Sequence, residues 1–219
     1  MNNADSFYIE KMQVPELEEV ALILTDAFET NPAYASIFHK TDLREGLGWL
    51  FRTSLFLLNR HEILTRVVKE KQTGMIVGTY TIVPPEGVKR TFGDYLKVGL
   101  PAFIYRFGFS ALIRMLRLDS YNKDVLTKSI QSEVYYYLSM VVVKEDCRGK
   151  GVGSFAIRTC LNELHQTKHD CRILGLTTQL PQNVSFYSNL GFELIDEGEI
   201  HFNKTSYYNY NMKRLIQSR

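Results

Sequence analysis

One stretch constrains this chain more than any other: Val141, Val142 and Val143, then Lys144-Glu145-Asp146-Cys147, then Arg148-Gly149-Lys150-Gly151-Val152-Gly153-Ser154. The β-branched residues close a run, Val134–Val143, that suits a central strand. A glycine-rich turn follows and opens straight into a helical pattern, Gly151–Gln166, with Val152, Ala156, Cys160 and Leu164 four residues apart. Glycine lets backbone approach a ligand and take left-handed dihedrals. The first N–H groups of a helix have no partner within it and lie at the positive end of its dipole. A strand, a glycine turn and a helix start therefore make an anion site, and Arg148 and Lys150 add charge beside it.

Three nucleotide motifs compete for the stretch. A P-loop needs Ser or Thr after its Lys, but Gly151 follows Lys150, so that reading fails. Gly151, Gly153 and Ala156 satisfy the dinucleotide fingerprint literally. That fingerprint also needs an acidic residue at the end of the next strand, where Thr177-Thr178 stand, and more chain than the 66 residues left after Gly153. The third motif, Arg or Gln, two residues, Gly, one residue, Gly or Ala, is met by Arg148, Gly151 and Gly153. With Val143 five residues before the Arg, it resembles the acetyl-CoA pyrophosphate loop of the GNAT superfamily of N-acetyltransferases. Glu145 stands where the family often has Pro. About 30 residues on, Asn183, Phe186-Tyr187 and Leu190-Gly191-Phe192 resemble a second family segment in the expected order. The likeness covers Val134 to Arg214 well, the first 85 residues only as an order of elements, and residues 86–132 hardly at all. The helical stretch before a Tyr-rich strand looks like the puromycin and small-amine acetyltransferases.

The remaining pattern gives a mixed α/β layer around one sheet. Phe7–Met12 reads as a strand. Pro15 opens a first helix, which Asn31-Pro32 ends. Asp42 caps a second helix carrying Leu43, Leu47, Leu50, Ser54 and Leu58 on one side. Ile63–Lys71 and Met75–Val83 form a hairpin, and residues 86–132 read as a helical insertion broken at Gly99, Pro101 and Gly108. Ile173–Thr178 is a short strand, Asn183 caps a brief helix that stops at Gly191, and Phe192–Ile200 with Thr205–Arg214 close the sheet. Residues 1–219 are thus expected to form a single domain.

The resemblance implies an α/β fold: a central mixed, mostly antiparallel sheet with splayed central strands and helices on both faces. It implies acetyl-CoA as co-substrate, direct attack by a primary amine, and no metal. It assigns the cofactor to Val141, Val142, Val143, Arg148, Gly149, Lys150, Gly151, Val152, Gly153, Ser154 and Asn183. Tyr187 matches the family's general-acid tyrosine, and its competing reading is an amphipathic core tyrosine. Glu133 is a candidate base or an ordinary exposed charge. Tyr135, Tyr136 and Tyr137 alternate across the sheet, and one face is expected to line the acceptor pocket with Phe28 and Tyr34, Tyr136 being the candidate. The acceptor is expected to be a small-molecule amine; a protein N-terminus or lysine, and a non-catalytic acyl-CoA-binding regulator, are the alternatives.

Composition excludes several classes. Apolar residues make up 45% and net charge is +2, which gives neither disorder nor a nucleic-acid binder's basic excess. Residues 86–128 carry eight Lys or Arg against four Asp or Glu: a solvated helical face, or a rim that attracts an anion. Val98–Leu118 is the most apolar region, but Arg106, Arg114 and Arg117 interrupt it, so no membrane span is expected. The three cysteines, Cys147, Cys160 and Cys171, with a polar Met1–Ser6, lead to the expectation of free thiols in the cytoplasm.

Overall fold

Strand pairing is continuous across seven strands, and the position of one irregular pair determines where a ligand can enter. The computed structural model describes residues 6–38, 42–166, 171–202 and 205–216. The polar opening at residues 1–5 lies outside them. The strands are β1 (Phe7–Lys11), β2 (Thr65–Glu70), β3 (Ile76–Val83), β4 (Tyr136–Val143), β5 (Ile173–Thr178), β6 (Glu193–Phe202) and β7 (Thr205–Leu215). They lie in the order β1-β2-β3-β4-β5-β7-β6. Every pair is antiparallel except β4 with β5. The expected mixed, mostly antiparallel sheet is what forms.

Helices cover both of its faces. On one face lie α1 (Leu17–Phe28), α2 (Leu43–Leu58), α4 (Leu100–Phe107) and α5 (Phe109–Ser129), whose Val20, Leu24, Leu47, Phe51, Phe103 and Leu118 share a buried cluster. On the other lie α6 (Val152–Gln166) and α7 (Pro181–Ser188), with Val152, Ala156, Ile157, Cys160 and Tyr187 in a second cluster. Burying one such apolar side chain is worth roughly 1.5–3 kcal/mol, so both layers are anchored by their own stripes. The insertion is not a separate unit: α3 (Phe92–Lys97) starts the segment, Gly99 and Pro101 set up α4, Gly108 separates α4 from α5, and α4 and α5 complete the first cluster.

Several local expectations change. Pro15 belongs to a single helical turn, Val14–Glu16, before α1. Asp42 holds the N-cap position of α2 without a side-chain cap bond; it accepts from Arg106 Nη2 at 3.2 Å instead. On α2 the fully buried residues include Phe51 and Leu55 rather than Leu50 and Ser54. Asn183 is not a cap. Leu180 takes that position, Pro181 occupies the first turn, and Asn183 Nδ2 donates to Thr178 Oγ1 at 2.9 Å. The end of α7 is as expected: Gly191, at φ +81°, carries the chain out of the helix.

Candidate acyl-transfer site

β4 pairs with β5 only at Tyr136↔Leu174 and Tyr137↔Gly175. Among the described residues its edge from Leu138 to Val143 has no strand partner on that side, which leaves that edge open toward the wedge. On the opposite edge β3 follows β4 with one irregularity. Thr79 pairs with Val142 and Thr81 with Ser139, so one extra residue of β4 opposes Tyr80. Met140 sits in this bulge at φ +52°, a left-handed backbone that costs a non-glycine residue about 1–2 kcal/mol. Before the bulge, Tyr136 and Leu138 belong to the α6 cluster; after it, Val141 and Val143 pack there while Met140 and Val142 pack toward α1.

The wedge ends at the glycine turn. A short helical turn, Glu145–Cys147, leads into Gly149 at φ +75° and Gly151 at φ +84°, both left-handed. α6 then begins, its first intrahelical bond running from Phe155 N to Gly151 O at 2.9 Å. The N–H groups of Val152, Gly153 and Ser154 are therefore first-turn donors without an acceptor in the helix. A Cβ on Gly149 would meet nothing within 4 Å, so the turn is open to an approaching group. Arg148, Gly149, Lys150 and Gly151 are exposed around it. These donors and cations fit a pyrophosphate, and the free β4 edge fits the amide-bearing arm that follows a pyrophosphate in CoA.

α7 is pressed against this helix start. A Cβ at Gly153 would lie 3.1 Å from Phe186 Cζ, closer than packed carbons normally sit, so a side chain there would require Phe186 to give way by a few tenths of an ångström. Phe186 leans on Tyr187 with ring centroids 5.0 Å apart, and Tyr187 on Phe192 at 5.4 Å. Tyr187 is 6% exposed, in the same cluster as Val152 and partly buried Val141 and Val143. Its hydroxyl has no hydrogen-bond partner among the described residues. Burial holds its phenol well above the usual tyrosine range, with a smaller push from Cys160. The structure thus brings Tyr187, the strand end and the turn together.

The other candidates divide. Phe28 and Tyr34 meet edge to face at 5.7 Å, and both pack on Phe51, at 5.2 and 5.8 Å, on the α1–α2 face. Tyr136 points to the opposite face, into the α6 cluster; Tyr137 is the residue that packs with Leu126 of α5 and Ile130 just beyond its end. Strand alternation makes the two mutually exclusive. Glu133 is exposed, in the turn after α5 where Gln131 and Ser132 are left-handed, three residues before β4 begins. It lies at the paired end of β4, away from the glycine turn.

A polar chain that composition and spacing did not suggest links the connection after α1 to β7. Asn31 Nδ2 donates to Gln179 Oε1 (3.0 Å), Gln179 Nε2 to Asn209 Oδ1 (2.9 Å), and Asn209 Nδ2 to Asn211 Oδ1 (3.3 Å). Asn211 Nδ2 continues to Asp196 Oδ2 (3.1 Å), which also accepts from Ser129 Oγ (3.1 Å). Asn31, Asn209 and Asn211 are buried. The one readable signal was the alternation Tyr208-Asn209-Tyr210-Asn211, which puts both asparagines on one face of β7.

A seven-stranded sheet whose central parallel pair opens over a glycine turn and helix start is a GNAT-like fold. Residues 113–194 match the family model for the acetyltransferase (GNAT) domain. No curated protein sequence matches the chain significantly. Among solved structures, the histone acetyltransferase HPA2 and related acetyltransferase of Corynebacterium glutamicum superposes with a TM-score of 0.63 at 18% identity, over 95% of each chain. A Drosophila melanogaster polyamine N-acetyltransferase, which forms N-acetylagmatine, gives 0.60 at 13% identity, over 95% of this chain and 99% of that one. A mosquito arylalkylamine N-acetyltransferase-like protein gives 0.55 at 14%, over 96% and 99%. At such identities these likenesses concern the fold. The fold is GNAT-like and residues 113–194 are similar to the acetyltransferase (GNAT) domain, a domain that implies acetyl-CoA as co-substrate.

Among the described residues no helix is long and apolar enough to cross a membrane, and no three His, Cys, Asp or Glu side chains converge as a metal site.

Proposed function

We propose that the chain is an acetyl-CoA-dependent N-acetyltransferase acting on the primary amine of a small molecule, by direct attack on the thioester. The observation that carries this reading is the continuity of the open β4 edge, the α6 start and the Tyr187 cluster. The N–H groups of Gly149–Ser154, with Arg148 and Lys150, bind the pyrophosphate; Asn183 holds the adjoining end of β5 through Thr178. The free edge of Leu138–Val143 orients the pantetheine arm and aims a backbone donor at the thioester carbonyl, where negative charge develops. The Met140 bulge re-aims the backbone at the middle of that edge. Tyr187, kept protonated by burial, donates a proton to the departing thiolate. The amine enters from the α1–α2 face, where Phe28, Tyr34 and Tyr137 lie. Small-amine enzymes among the structural neighbours agree with this choice of acceptor.

The test couples binding to turnover. Gly151→Val forces a β-branched residue into a φ of +84° and places a side chain at the turn. A folded variant should bind acetyl-CoA at least tenfold more weakly by calorimetry. Wild-type protein should release free thiol from acetyl-CoA with amines in a panel. Unchanged affinity in the variant would remove the turn from the cofactor site, and tight binding with no turnover on any amine or peptide would make the chain a regulator.

A further inference from the structure

The proposed acceptor face contains a carboxylate for which neither the fold nor the transfer reaction has a use. Asp119 lies in α5, the insertion helix, and is exposed. Other acids of this face are engaged: Asp42 and Glu45 by Arg106, Asp26 and Glu29 by Arg44. Asp119 makes no ion pair and no hydrogen bond among the described residues.

What surrounds it is aromatic. Asn122, one turn further along the same face of α5, accepts a hydrogen bond from the Tyr207 hydroxyl at 3.2 Å. Tyr207 is 4% exposed and shares a buried cluster with Leu118 and the partly buried Tyr34. Tyr34 is wedged between Phe28 and Phe51, so its ring is fixed. Tyr137 comes from β4 to the same helix. Burial is the main cause that raises the phenols of Tyr34 and Tyr137; the Asp119 carboxylate adds to both, after the neighbouring Tyr34 in the case of Tyr137. Neither hydroxyl has a hydrogen-bond partner among the described residues. Aromatic faces, free phenolic oxygens and one unpaired carboxylate are what a cationic group needs, and they repel an acidic one.

We propose that Asp119 selects acceptors bearing a second positive charge: the far cationic group of a diamine-type molecule sits against Asp119 at the mouth, between Tyr34 and Tyr207, while its near amine reaches the open edge of β4 past Tyr137. The inference rests on the reading that the amine enters from this face, but it concerns recognition, and binding alone can test it.

The probes are 1,4-diaminobutane and n-butylamine, which share a four-carbon chain and differ by one terminal ammonium group, titrated calorimetrically into the CoA-bound protein. Wild type should prefer the diamine by about tenfold to hundredfold, the scale of one charged hydrogen bond. Asp119→Asn keeps the size of an exposed helical side chain, so the fold should survive; it should abolish the preference and leave n-butylamine binding unchanged. A preference that persists in Asp119→Asn, or a wild type that binds both amines equally or neither, would overturn the inference. Acetyl-CoA turnover separates the two readings. Asp119-dependent diamine binding without acetylation defeats the proposed reaction and leaves this selectivity standing. Acetylation of both amines with equal KM does the reverse.

Discussion

Asn31 and Gln179, 148 positions apart in sequence, share a hydrogen bond of 3.0 Å between side-chain amides. The contact ties the connection after α1 to the end of β5. Asn31 Oδ1 also accepts from the Ala33 backbone at 3.0 Å, so the same side chain shapes the turn that carries Tyr34. Gln179→Leu would leave buried amide groups of Asn31 and Asn209 unpaired, at a cost of about 1–3 kcal/mol. For a chain of this size that lowers Tm by roughly 3–10 °C in scanning calorimetry. The kinetic signature should be a larger rise in KM for the amine than for acetyl-CoA. Equal changes in both would reduce the network to a general support.

Removing the hydroxyl of Tyr187 orphans nothing, because it has no partner among the described residues. Tyr187→Phe should therefore keep its Tm within about 2 °C, bind acetyl-CoA as before, and lose about 10²–10⁴-fold in kcat if the phenol is the proton donor. Water can protonate a thiolate whose ordinary pKa is about 8.5, which sets the lower end of the range. Wild-type kcat would show Tyr187 to be only packing.

The same residue fixes the alkaline side of the pH profile. A general acid works only while protonated, and burial raises this phenol above its ordinary value. Its deprotonation is thereby moved to higher pH, and kcat should not fall from that cause as pH rises toward about 10, where a free tyrosine ionises. A decline in kcat near pH 8 that vanishes in Tyr187→Phe would contradict the buried setting.

Gly153→Ala tests the contact between α6 and α7. The new methyl would press on Phe186 at 3.1 Å, and forcing a carbon into a filled core costs about 1–3 kcal/mol. Because Phe186 precedes Tyr187, displacement of α7 should lower kcat more than it weakens acetyl-CoA binding. Stopped-flow binding with steady-state rates would show it, and an equal loss in both would place the damage in the turn.

The thiols should be chemically dispensable. Cys160 is fully buried, and desolvation pushes it up to about 12, with Glu163 adding to the shift. Iodoacetamide at pH 8 should label only Cys147 and Cys171 in native protein, by mass spectrometry, and Cys160→Ala should retain turnover. Loss of turnover in a folded Cys→Ala variant would require a covalent step on sulfur.

Local signals carried much of this architecture. Valine runs and glycine punctuation placed β4, the turn and α6 within one or two residues, because those elements are decided by propensity and backbone freedom. The motif at Asn183–Phe192 located α7 and Tyr187, yet its cap came out differently, since Pro181 starts the helix and Asn183 is drawn to Thr178 by a contact across a loop. Tyr136 was preferred to Tyr137 because alternation alone does not say which face of a strand meets which helix. Asp119 and Gln179 carry no local pattern at all; their surroundings are assembled only when α5 packs on the sheet and β7 pairs with β5.

The bulge at Met140 has a consequence for how β4 tolerates change. Side chains along a strand obey a two-residue parity, and one additional residue reverses it for everything downstream. The single strand thus holds two phases: one for Tyr136–Leu138, one for Val141–Val143. Deleting Met140 would erase the boundary and leave one regular alternation, with Val141 and Val143 still toward α6 and Val142 still toward α1. The bulge therefore lets β4 carry one residue more or fewer at this point without exchanging the side chains that line the wedge, a tolerance of length that a regular strand lacks.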